Sequence, residues 1–139
     1  MMILDTNVVS EPLRTSPNAR VLAWLDAQPA GSLFLTTITV AEILSGAAIL
    51  PAGRRKDELQ HALDHLVTTL FHDRILPFDL AAAREFATIL QRARQNGIGI
   101  GLADAQIAAI AVATNGSVAT RDVTPFAASG LSVIDPWSD

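Results

Sequence analysis

The sequence contains no cysteine. That excludes disulfides, thiolate metal sites and cysteine nucleophiles, and it fits a cytoplasmic location. Lysine is almost missing: nine of the ten basic residues are arginines, and the tenth is Lys56. Arginine suits bidentate contact with phosphate. No apolar run reaches the roughly 20 residues of a membrane span. No basic stretch precedes the first apolar residues, so no signal peptide is expected. Internal repeats and low-complexity segments are absent as well. What remains is 139 residues, half of them apolar, with a formal net charge of −4. Such a chain is too apolar for disorder and long enough to bury a core, and residues 1–139 are expected to form a single domain.

Met2-Ile3-Leu4 reads as a short buried strand that ends in Asp5-Thr6-Asn7. A helix from Thr6 to Leu13 would be capped by Asp5 or Thr6 and ended or kinked at Pro12. Ser16-Pro17 has the form of a cap and first position for the next helix. Leu33 to Thr36 reads as strand two. Thr39-Val40-Ala41-Glu42 has capping-box spacing, which would put Glu42 in the first turn of its helix. Asp57 to His72 has an apolar helical face. Ile75 to Phe78 reads as strand three, and Asp79 caps a helix to about Gln95 that Gly97 ends. Leu102 to Thr114 is a helix apolar on nearly every side, Ser117 to Thr120 a fourth strand, and Leu131 to Ile134 a fifth. This alternation predicts an α/β fold: a five-stranded, mostly parallel central sheet covered on both faces, giving a three-layer α/β/α sandwich.

Four carboxylates occupy unusual places. Asp5 closes strand one, Glu42 follows strand two, Asp104 lies in the first turn of the apolar helix, and Asp122 follows strand four. In a parallel sheet these positions share one edge, where such folds bind ligands. Each acid also has a capping or helix-dipole role open to it. Together they repel one another unless a cation offsets them. Ligation by oxygen alone suits a hard ion, Mg²⁺ or Mn²⁺, which activates water and stabilises charge in phosphodiester cleavage.

Met2-Ile3-Leu4-Asp5-Thr6-Asn7-Val8-Val9-Ser10-Glu11 with Pro12-Leu13-Arg14 resembles the opening of a PIN-domain ribonuclease, nearest the FitB-like branch of the VapC toxins. Thr39-Val40-Ala41-Glu42 with Gly46, Asp104 to Ala109, and Ala119-Thr120-Arg121-Asp122 with Phe126 follow in the family's order. The resemblance implies a Rossmann-like fold with Asp5 and Asp104 as ligands of Mg²⁺ or Mn²⁺. Glu42 and Asp122 would complete the acidic cluster, and Thr120 would be a catalytic-site hydroxyl. Thr6, Asn7 and Arg121 would lie beside substrate. It further implies the toxin of a type II toxin–antitoxin pair, a metal-dependent endoribonuclease that cleaves RNA with metal-activated water. A small VapB/FitA-like antitoxin would bind it, DNA would be reached through that antitoxin, and the toxin would form a homodimer within a larger complex. Two positions depart from the usual pattern: Asp122 stands where the family often has Asn, and Pro125 where an acid often precedes the Phe. The alternative is a non-catalytic PIN-fold module acting through its antitoxin partner.

Three other patterns mean less. His61-Ala62-Leu63-Asp64-His65 resembles an inverted zinc-protease motif with Asp for Glu, but a solvated helix face explains it. Gly97-Ile98-Gly99-Ile100-Gly101 follows a helix rather than a strand, so it is no dinucleotide fingerprint. A phospho-acceptor role for Asp5 would need a lysine near the phosphate, and Lys56 follows no expected strand. Setting the four site acids apart from the fourteen leaves ten, matched by ten bases. The net charge therefore does not exclude RNA. Arg54-Arg55-Lys56, Arg92, Arg94 and Arg121 are candidates for phosphate contact, with ordinary surface charge as the other reading for all but Arg121, whose place beside Asp122 favours the site.

Overall fold

The computed structural model describes residues 1–138. β1 (Met2–Leu4) runs into α1 (Thr6–Ser10), and a 3₁₀ turn at Glu11–Leu13 leads to α2 (Ala19–Ala27). β2 (Leu33–Thr36) feeds α3 (Thr37–Ala48), and α4 (Arg54–His65) widens into a π-helical turn at Leu66–Leu70. β3 (Ile75–Leu76), α5 (Leu80–Gln95), α6 (Leu102–Ala113), β4 (Ser117–Ala119), α7 (Val123–Ala128) and β5 (Val133–Ile134) complete the order.

The strands lie in the order β3-β2-β1-β4-β5, and each neighbouring pair is parallel. Met2 stands opposite Leu33 on one side and Ser117 on the other. The chain winds outward from β1 to β3, then returns to place β4 on the opposite side of β1. Strand order therefore reverses between β1 and β4, and the carboxyl ends of those two strands frame the crevice that this topology opens to ligands.

Strand alternation divides the core into two layers. Ile3 and Val118 face a cluster built on α5, α6 and α7, with Ile107, Ile110 and Phe126 fully buried. Leu4, Leu35 and Ala119 face the other cluster, with Val8, Ile43 and Leu63 from α1, α3 and α4. The sandwich is thus three-layered, as expected.

Several boundaries differ from expectation. Thr36, not Thr39, caps α3: its Oγ1 accepts from the Thr39 amide at 3.0 Å. Glu42 therefore lies in the second turn and closes no capping box. Asn18 replaces Ser16 as the cap of α2, accepting from the Arg20 and Val21 amides. The cause is Glu11, whose Oε1 accepts from the Asn18 amide at 3.3 Å and fixes that residue. α4 begins at Arg54 rather than Asp57, and its α-helical form ends at His65. Beyond it, β-branched Val67, Thr68 and Thr69 crowd the turn, and Thr68 Oγ1 donates to the Asp64 carbonyl at 2.7 Å. β3 stops at Leu76 because Pro77 has no amide to donate, and the Phe78 amide donates to Thr37 Oγ1 instead. β4 and β5 are likewise shorter than expected. Gly97 does end α5, with φ at +65°.

Candidate active site

Asp5 leaves β1 at the reversal point and is 3% exposed. It caps α1 itself: Oδ1 accepts from the Thr6 amide at 2.8 Å. Capping thus falls to Asp5, and Thr6 is free for another partner: its hydroxyl donates to Glu42 Oε1 at 2.6 Å. The second oxygen of Asp5 accepts from Thr120 Oγ1 at 2.7 Å. Thr120 is fully buried at the end of β4, and its hydroxyl oxygen also accepts from the Asp122 amide at 2.9 Å. One threonine therefore couples the two strand ends that flank the crevice.

Asn7 joins the same network from α1. Its Nδ2 lies 3.5 Å from Asp5 Oδ2 and 3.4 Å from Asp122 Oδ2, and its Oδ1 accepts from the Arg121 amide at 3.3 Å. Asp104 reaches the edge from the first turn of α6, half-buried and facing an open cavity of about 490 Å³ that Arg121 and Asp122 also line. Glu42 and Asp122 are exposed.

The acids act on one another. Burial raises the Asp5 carboxyl above its ordinary range, the Thr120 and Thr6 hydrogen bonds oppose that, and the charges of Glu42 and Asp122 add to it. Asp104 is pushed up to about 6, first by burial and then by the charges of Asp5, Asp122 and Glu42. Among the described residues, none of the four forms an ion pair with a basic side chain. The cluster is negative, partly dry and uncompensated.

The donor set suits a hard cation, being all oxygen. Among the described residues no three acidic or histidine side chains stand close enough to grip a metal together. That arrangement still fits Mg²⁺, which keeps several of its waters and binds through one or two carboxylates with substrate phosphate.

The sequence profile of the PIN domain matches residues 2–128. The chain belongs to the PIN domain family. It is 48% identical over 137 residues to the VapC ribonuclease Y4jK of Sinorhizobium fredii, covering 99% of this chain and 98% of that one. It is 45% identical over 139 residues to Toxin FitB of Neisseria gonorrhoeae, covering all of both. The crystal structure of FitAcB from Neisseria gonorrhoeae superposes with a TM-score of 0.95 at 45% identity over 100% of both chains. Within the PIN domains the chain therefore stands among the VapC and FitB toxins.

In this PIN domain the sheet edge brings together Asp5, Thr6, Asn7, Glu42, Asp104, Thr120 and Asp122. Arg121 borders the group, but its guanidinium lies over the Trp137 ring, 5.0 Å from the centroid. Arg54, Arg55 and Lys56 lie at the start of α4, and Arg55 lines a cavity with Thr6 and Glu42. Arg54 pairs with Glu58, Arg55 donates to the Leu13 carbonyl and Lys56 to the Ala48 carbonyl. His61, His65 and His72 are exposed, in line with a solvated face. Two residues had no sequence signal that singled them out: Glu11 is buried at 3% beside Arg14, and Trp137 carries Arg121. Asn7, expected only beside substrate, is the hub of the network.

Proposed function

We propose that this toxin of the VapC and FitB type is a Mg²⁺-dependent endoribonuclease. The observation that carries the reading is the uncompensated set of four carboxylates at the reversal point of a parallel sheet. Asp5 and Asp104 would hold Mg²⁺ or Mn²⁺, and Glu42 and Asp122 would complete the acidic cluster beside it. A cation held there would supply polarisation of the scissile phosphate and a lowered pKa for water.

The chain's own residues set the scene for that chemistry. Thr120 and the Thr6 amide orient the two oxygens of Asp5. The Thr6 hydroxyl fixes Glu42. Asn7 ties the Asp122 carboxylate to the end of β1. Burial at the crevice raises the Asp104 carboxyl above its ordinary range, and Arg121 lines the same cavity. No side chain is placed as a nucleophile, and the reading assigns the attack to water rather than to the substrate's 2′-hydroxyl.

The same reading includes a small antitoxin partner, because one relative that matches over the whole chain is named Toxin FitB and the similar structures are complexes, FitAcB and FitAB bound to a DNA fragment. It also includes homodimerisation, a larger complex with the antitoxin, contact with DNA only through that antitoxin, and a cytoplasmic location. Among the described residues no helix is long and apolar enough to cross a membrane.

The test is cleavage of structured RNA by antitoxin-free protein in Mg²⁺. Asp5→Asn and Asp104→Asn are each expected to lose at least about 100-fold in rate, on the order of one lost electrostatic group in a catalytic site. Variants that cut as fast as the wild type would remove the assigned site. A wild type that neither cuts RNA nor takes up millimolar Mn²⁺ points instead to a non-catalytic binding module.

A further inference from the structure

Arg121 sits in the chain between two members of the acid network, Thr120 and Asp122, and lines one cavity with Asp104. A guanidinium in that place either pairs with carboxylates or is held away from them. Here it is held away. Its Cζ stands over the Trp137 ring, and among the described residues Arg121 makes no ion pair. A cation on an indole face is comparable in strength to an exposed ion pair, so the ring is a real competitor for the arginine.

Trp137 is itself anchored. Its amide donates to Asp135 Oδ1 at 2.9 Å, and its carbonyl accepts from Arg20 Nη1 at 3.2 Å. Its side chain packs against the apolar layer that contains Leu4 and Ala119. Two distant segments, α2 and the turn after β5, therefore place one aromatic face beside the crevice. The ring's link to the site is Arg121.

We propose that Trp137 is a positioning residue, whose indole holds the Arg121 guanidinium off the acid cluster and so keeps the carboxylates open to a divalent cation. Without the ring, Arg121 is free to fold onto Asp104 and Asp122. It then competes with the metal as an internal cation. The proposal rests on the reading of the cluster as a cation site.

The experiment is calorimetric titration of Mn²⁺ into the full chain. Trp137→Leu keeps an apolar side chain but has no π face, and is expected to bind roughly fivefold more weakly, the scale of an exposed ion pair gained by Arg121. Trp137→Phe restores the face and is expected to bind as the wild type does. In the double variant Trp137→Leu with Arg121→Gln, the competitor is gone and affinity returns. A Trp137→Leu protein that binds as tightly as the wild type overturns the proposal. So does a double variant as weak as Trp137→Leu, since the loss then comes from disturbed packing. A wild type without Mn²⁺ binding overturns the cation reading itself, which separates the two failures. A measurement on folded wild type stands beside these: the Arg121 δ protons, assigned with Arg121→Gln, should resonate upfield under the indole ring current. Resonances at ordinary positions overturn the placement.

Discussion

Thr120 donates its hydroxyl proton to Asp5 and accepts from the Asp122 amide. Thr120→Val keeps the shape and removes both bonds inside a fully buried position. We expect a loss of about 1–3 kcal/mol in urea unfolding, the cost of leaving buried polar groups unpaired. Asp104 makes a pH prediction. Its carboxyl titrates at about 6 in the fold against 3.8 when free. Folding therefore favours the protonated form. That stabilisation is complete below pH 3.8 and is lost as pH rises through about 6. The metal-free protein should thus melt higher at pH 5 than at pH 7.5, and Asp104→Asn should flatten this difference. A cation competes with the same proton, so Mn²⁺ affinity should fall as pH drops through about 6. The acids were legible in the sequence because a carboxylate in Leu102-Ala103-Asp104-Ala105 breaks an apolar run. Glu11 was not, because its partner lies at irregular spacing, and Asn7 was legible only as a neighbour of substrate, because its partners lie across the fold. The Asn18 amide that Glu11 accepts from is seven residues on, and the Asp122 carboxylate beside Asn7 is 115.

α3 shows what elements add. Its start is set by Thr36, whose hydroxyl also lies 3.2 Å from that of Thr39. Thr36→Ala should destabilise by about 1–2 kcal/mol, at the upper range for a lost cap because the site is buried. It should also weaken Mn²⁺ binding, since α3 carries Glu42 to Thr6. Thermal melts and calorimetry on one sample check both. The strands and most helices were legible as short apolar runs and helical periodicity. Their ends were less so, because neighbouring hydroxyls compete for one cap and the tertiary fold chooses between them: Thr36 over Thr39, and Asn18 over Ser16. The π-helical turn after His65 lies in the same class, since no periodicity announces an extra residue in a turn.

Across the whole molecule, alternating strands and helices implied a parallel sheet with both faces covered. Strand order β3-β2-β1-β4-β5 was not legible, because local pattern carries no information on which strands pair. That order is what brings Asp5 beside Thr120 and makes four scattered acids one cluster. If the cluster binds a cation in the folded state alone, millimolar Mn²⁺ should raise the melting temperature and chelation should reverse the rise. The central claim is that the acid cluster supports metal-assisted attack of water on RNA. Its most direct test is mass analysis of RNA ends after cleavage in Mg²⁺ and ¹⁸O-labelled water. The account predicts a single ¹⁸O in the new terminal phosphate and no product from Asp5→Asn. A 2′,3′-cyclic phosphate end, or equal cleavage by Asp5→Asn, would contradict it.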